Sequence, residues 1–316
     1  MTPLLPFKPL YQQRVWGGHL LESWLGRRHT LAGPIGESWE IVDRPEAQSV
    51  VAGGPWTGKT LRELIAAQPK AIMGPGWPAG KPFPILVKWL DCRERLSLQV
   101  HPPASVTEKL GGEPKTENWY FARADNGAAV FAGLREGVTP DEFEKALADG
   151  TAEQCMRRLP VRPGESLLIH SGIMHAIDAG NVILEIQQNS DTTYRVYDWG
   201  RAGLDGKPRA LHVRESMESL RASTALAVPE LAADTAEVLA DCAEFRIRRE
   251  VLGVGATLKF AAGEQPRIVS VVAGRLAGPD GELRTGDNVL LPCAGEFRFT
   301  AEEAATALVT ENFNGR

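Results

Sequence analysis

Cysteine is scarce in this sequence and never clustered. Cys92, Cys155, Cys242 and Cys293 stand singly, and no C-x-x-C occurs. That argues against a thiolate zinc site or a redox pair and leads us to expect a reducing, cytoplasmic home. Long apolar runs are missing too. None approaches the roughly 18 residues of a membrane-spanning helix, so no membrane association is expected. The segment from Met1 to Trp16 lacks a basic stretch followed by a long apolar one, and no secretory signal is expected. Nor is there a basic excess: 35 Lys and Arg face 40 Asp and Glu, a net charge of −5. This excludes a polybasic nucleic-acid binder and a basic membrane anchor.

What remains is an ordinary globular composition, 43% hydrophobic and 24% charged over 316 residues, enough for one large domain or two medium ones. The 32 Gly and 22 Pro are spread along the whole chain. They read as turns between short strands, so a mainly β architecture is expected. Strand candidates are Pro84–Leu90, Leu96–Val100, Ala128–Ala132, Ser166–His170 and Val182–Gln187, with Phe245–Val251, Ile268–Val272 and Asn288–Leu291 later. Helices read as insertions. The spacing predicts them over Thr60–Ala67, from an N-cap at Thr139 with Pro140 and Glu142 behind it, over Ala152–Leu159, and over His212–Leu220. The Ala-rich stretch 223–240 reads as a helical connector. It divides a β domain at 1–222 from a smaller β domain at 241–316. A turn-strand echo links the two: Arg162–His170 resembles Leu283–Pro292, both running Gly, acid, then apolar residues. Only the first copy leads on to a histidine, since His212 is the last in the chain.

Four segments carry candidate chemistry. In Ser97-Leu98-Gln99-Val100-His101, strand alternation puts Ser97, Gln99 and His101 on one face, away from Leu98 and Val100. Lys115 and Glu117 share a face in the next segment, and His175 follows a glycine turn at Gly172. Taken singly, these read as an edge strand with a solvated face, a surface ion pair and a loop histidine. Taken together, two imidazoles and a carboxylate are the ligand type of a catalytic zinc, with Gln99 able to add a neutral oxygen. The absence of sulfur also admits iron, manganese, cobalt or nickel. The fourth segment, Glu185 to Trp199, is dense in hydrogen-bonding groups and places Asp191, Thr193 and Arg195 on one face of a strand. An inward Arg195 is costly unless an anion compensates it, which points to an anionic substrate.

These segments, in this order, resemble the type I phosphomannose isomerases of the cupin superfamily. The likeness rests on Val15–Gly18, Gly36–Glu40, Leu86–Lys88, Leu96–Pro102, Lys115–Glu117, Gly172–Ile177 and above all Gln188–Asp198, with Gly206–Arg209 and Leu211-His212 beyond. It implies a cupin, or jelly-roll, β-barrel with inserted helices and a second, smaller cupin-like domain without ligands. It implies one Zn2+ per chain on Gln99, His101, Glu117 and His175, and Arg195 as the active-site arginine. Ser97, Lys88, Lys115 and Asp191 would line the substrate pocket, with Lys88 or Lys115 as candidate proton carriers. The implied reaction interconverts mannose 6-phosphate and fructose 6-phosphate through a cis-enediol, in a monomer or homodimer whose partner is a small phosphorylated sugar. Asn118 and the Ile169-His170-Ser171 turn depart from the family pattern, at positions other than the proposed ligands. Three alternatives stay open: isomerisation of another phosphorylated aldose, a metal-dependent cupin oxygenase, and a non-catalytic sugar-phosphate sensor. Oxygen uptake with metal analysis, or turnover in a coupled assay, separates them.

Overall fold

The computed structural model of the chain describes residues 2–223 and 228–314. They form two compact units. One is drawn from Met1–Leu10, Trp39–Lys88 and Thr235–Arg316, the other from Tyr11–Ser38 and Trp89–Asp234. Both are mainly β, as expected.

The unit that includes the C-terminal stretch holds two antiparallel sheets. A six-stranded sheet contains Leu5–Pro6, Asn288–Leu291, Arg267–Ala273, Ala305–Glu311, Arg246–Leu252 and Val238–Asp241, in that order. A four-stranded sheet contains Thr257–Phe260, Phe297–Ala301, Arg275–Gly278 and Gly281–Arg284. Val269, Val271, Val289, Leu291 and Val309 of the first sheet meet Leu258, Phe260, Leu276 and Phe299 of the second in one core. Residues alternating with these point to the opposite face, the pattern of a sheet buried on both sides.

The other unit is built the same way. Its five-stranded sheet runs Tyr194–Tyr197, Leu98–Val100, His175–Ile177, Ala129–Leu134 and Met156–Pro160. A longer sheet begins Leu231–Ala232, Ser166–Ile169, Glu117–Ala124 and Asn181–Gln188. Between the two lie Trp119, Phe121, Leu167, Ile169 and Ile183 from the long sheet and Val130, Ala132 and Ile177 from the five-stranded one. On the outer side of the five-stranded sheet, Leu98, Val100, Phe131, Ala176 and Val196 pack against Phe143 of the Pro140–Ala148 helix and Met217 and Leu220 of the Val213–Ala222 helix. The apolar side of the Leu98–Val100 strand therefore faces outward under helices, and its polar side faces the sheet-to-sheet interior.

Among the described residues each sheet has two open ends, so the expected barrel is a pair of packed open sheets, not a closed one. The turn-strand echo is real in geometry. Gly164 and Gly286 both take positive φ (91° and 100°), and each following acid caps back onto the backbone. Glu165 accepts from Arg162 N–H at 2.7 Å, and Asp287 from Arg284 N–H at 2.9 Å. Two helical expectations are corrected. Only Ala152–Cys155 is helical, as one 3₁₀ turn, because Met156–Pro160 is claimed as an edge strand by Ala129–Leu134. In the connector, 224–227 lie outside the described residues, and the rest contains the strands Leu231–Ala232 and Val238–Asp241 in place of helix. Each finds a strand partner, at Ser166–Ile169 and Arg246–Leu252.

Candidate metal centre

Strand register assembles half of this centre. Gln99 lies directly opposite Arg195 on one side and His175 on the other. Residues directly opposite in a sheet share a face, so Arg195, Gln99 and His175 form a row across three strands, all facing inward. His101 follows two residues after Gln99, at the strand end marked by Pro102-Pro103. The long sheet supplies the carboxylate. Glu117 opens the Glu117–Ala124 strand and pairs with Gln187 and Ile169.

The side chains converge. Ligand atoms of His101, Glu117 and His175 lie within 4.8 Å of one another, and all three residues are buried. Glu117 Oε2 is 3.3 Å from His101 Nε2, and Glu117 Oε1 is 3.4 Å from His175 Nε2. Both imidazoles are held by their other nitrogen. His101 Nδ1–H donates to Thr192 O at 2.7 Å, and His175 Nδ1–H to Ile173 O at 2.8 Å. A carbonyl can only accept, so each Nε2 presents a lone pair to the shared space. His101 Nε2 and Glu117 Oε1 are buried without a hydrogen-bond partner. Buried acceptors are costly when unpaired, and a cation between them would satisfy both. Two imidazoles, a carboxylate and no sulfur suit a divalent metal of the zinc type. Gln99 stands beside them with Nε2 3.3 Å from His175 Nε2 and Oε1 accepting from Ser97 Oγ at 3.3 Å. Rotating its amide would turn the oxygen to the cluster.

The electrostatics agree with ligands kept ready for a metal. Burial, reinforced by the charge of Lys115, pushes His101 down to about 3, and burial also lowers His175. Burial alone would raise Glu117, but Lys115 and the two imidazoles hold it well below the usual carboxylate range. Lys115 Nζ lies 2.7 Å from Glu117 Oε2. Burial works against its charge, yet Glu117 and Glu185 raise it above the ordinary lysine value.

The remaining expected site residues fall into three groups. Ser97 and Lys115 are buried at the cluster, and Arg195 is half-buried with its Nε donating to Ser97 Oγ at 3.2 Å. Asp191 is exposed, but its charge acts on Lys115. Lys88 belongs to the other unit, buried, with its ammonium 4.8 Å from the centre of the Trp39 ring. Sequence reasoning passed over Glu185. It is buried opposite Trp119, whose Nε1–H it accepts at 3.1 Å, and it lies 3.9 Å from Lys115 Nζ. An acid inside the apolar run Val182–Ile186 was the available signal.

Residues 4–154 match the family model described as phosphomannose isomerase type I, catalytic domain. The mannose-6-phosphate isomerase ManA of Bacillus subtilis is 34% identical over 315 residues, which cover 94% of this chain and 96% of that one. The mannose-6-phosphate isomerase of Streptococcus mutans is 35% identical, covering 90% of this chain and 92% of its own. The crystal structure of the mannose 6-phosphate isomerase from Bacillus subtilis superposes with a TM-score of 0.85 at 28% identity, covering 98% of this chain and 100% of that one. The chain belongs to the type I phosphomannose isomerases.

Proposed function

We propose that this protein interconverts mannose 6-phosphate and fructose 6-phosphate, using one zinc ion held by His101, Glu117, His175 and Gln99. Family membership supports the reaction, and the donor set supports the metal. The observation that carries the reading is the convergence of three buried donors, His101, Glu117 and His175, with both imidazoles already committed through Nδ1 to backbone carbonyls.

An aldose–ketose shift moves a proton between adjacent carbons through a cis-enediol, and negative charge builds on an oxygen. A zinc ion bound here supplies Lewis-acid stabilisation of that charge. The chain's own residues do the rest. Arg195, in the same inward row as Gln99 and His175, offers a guanidinium that binds the anionic substrate and steadies the developing charge. Ser97 Oγ receives a hydrogen bond from Arg195 and is placed to bind substrate oxygen. Lys115 orients the Glu117 carboxylate from 2.7 Å and would serve as the proton carrier once a bound metal's charge lowers it from its raised value. The family resemblance assigns Asp191, exposed and acting on Lys115 through its charge, and Lys88 to the substrate pocket. Four free cysteines, three of them buried, fit a cytoplasmic setting.

The test removes ligands one at a time. His101→Ala and Glu117→Ala should each lose bound metal and isomerase turnover together. Arg195→Ala should keep its metal while kcat falls on the order of 10²- to 10³-fold, the size of a lost charge-stabilising donor. Retention of turnover by a metal-free His101→Ala protein would defeat the assignment.

A further inference from the structure

Beyond Arg195 the chain makes an excursion and returns to it. Ala202 and Pro208 bridge, and Gly203 N–H donates to Lys207 O at 2.7 Å, turning the segment back on itself. Arg209 thereby arrives at Asp198. The buried Asp198 carboxylate accepts from Arg209 Nε at 2.7 Å and from Nη2 at 2.5 Å, and also from Arg201 Nε at 3.0 Å. The residues just past Arg209 then hold Arg195 at three points. Its Nη1 donates to Ala210 O at 3.1 Å and its backbone N–H to His212 Nδ1 at 3.3 Å. Its own carbonyl accepts from His212 N–H at 2.7 Å. His212 in turn precedes the Val213–Ala222 helix, which is packed on the outer side of the sheet.

We propose that Asp198 is a positioning residue: by fixing Arg209 it anchors the 209–212 strap that aims the Arg195 guanidinium into the site. This rests on the isomerase reading given above. Among the described residues the carboxylate makes no hydrogen bond to the row of Arg195, Gln99 and His175 or to the metal donors; its charge reaches Arg195 through space, but it orients the guanidinium through the strap. A bidentate carboxylate–guanidinium pair fixes orientation as well as distance. Its loss releases one end of the strap, and with it Ala210 O, the acceptor that orients Nη1. A small misplacement of a catalytic group costs up to about a hundredfold in rate. A rival role is simple charge balance, because Arg195, Arg201 and Arg209 gather against this one carboxylate. Burial, followed by the charge of Arg209, lowers Arg195. The two roles differ in kinetics.

The experiment uses the full-length, metal-loaded protein and mannose 6-phosphate. For Asp198→Asn, kcat should fall about 10- to 100-fold, with KM unchanged or raised and metal content unaltered. A lower KM at unchanged kcat would mean charge balance, since removing a negative charge favours an anionic ligand, and would overturn the proposal. In an Arg195→Ala background the same substitution should add no further loss. An equal, additive loss there would also overturn it. Should Asp198→Asn not fold, Arg209→Gln breaks the pair from its other side and carries the same expectations. Absence of turnover in the wild-type protein would instead sink the isomerase reading, which keeps the two failures distinct.

Discussion

Gly172 ties two proposed ligands together without presenting a side chain to either. Its N–H donates to His101 O at 2.7 Å, its carbonyl accepts from Ser223 Oγ at 2.6 Å, and His175 lies three residues on. Its φ is 94°, and an added Cβ would stand 2.4 Å from Ser223 Cβ. Both strain and overlap oppose any other residue. Gly172→Ala should cost about 1–3 kcal/mol and weaken metal binding, read by denaturant midpoint and metal content. An unchanged midpoint would contradict the geometry. Asp178 is the second telling residue. It accepts from Arg95 Nε at 2.9 Å and Arg158 Nη2 at 3.2 Å, while the Arg95 guanidinium stacks over Phe131 and Trp199. Burial alone would raise its carboxyl, but the hydrogen bonds and charge of Arg95, with further help from Ala179 N–H and Arg158, hold it below the usual value. A depressed carboxylate stabilises the fold at pH values above its unfolded pKa, about 3.9. That stabilisation is lost as pH falls through the lower folded value. Wild type should therefore exceed Asp178→Asn by about 1 kcal/mol at pH 7, the group being partly solvated. The gap should close on acidification below about pH 4. A gap independent of pH would remove the ion pair as its cause.

Elements with a complete local signal were legible in advance, and those decided by distant partners were not. Thr139 accepts from Glu142 N–H while Glu142 Oε2 accepts from Thr139 N–H at 2.8 Å. With Pro140 first in the helix, the whole capping box could be read from four residues. Thr60 and Glu63 repeat it at the Leu61–Ala67 helix. Thr139→Ala should cost about 1 kcal/mol. Phe143→Ala should cost about 3–5 kcal/mol, because Phe143 is fully buried against the outer side of the ligand-bearing sheet. Denaturant unfolding of both checks that order, and a larger loss from the cap would reverse the account of what this helix does. The polar face of Ser97, Gln99 and His101 was equally legible, because alternation is local. Met156–Pro160 was not: its residues suit a helix, and only pairing of Leu159 with Val130 and of Arg158 with Phe131 makes them a strand. The grip of Asp198 on Arg209 escaped for the same reason, since the intervening excursion has no periodicity to announce where it returns. Glu185 needed the register against Trp119 before its burial meant anything.

Across the whole molecule, two units use the same turn, at Gly164 and at Gly286, to start an interior strand. Among the described residues, the cluster of His101, Glu117 and His175 lies in the unit containing Gly164, and the stretch 235–316 contains no histidine. A single metal per chain is therefore expected, and turnover should depend on it. One measurement tests this most directly: metal content per chain together with mannose 6-phosphate isomerase turnover, before chelation, after it, and after zinc is returned. We expect one metal per chain, loss of turnover on stripping, and recovery in step with zinc rebinding. Full turnover in demonstrably metal-free protein would contradict the central claim.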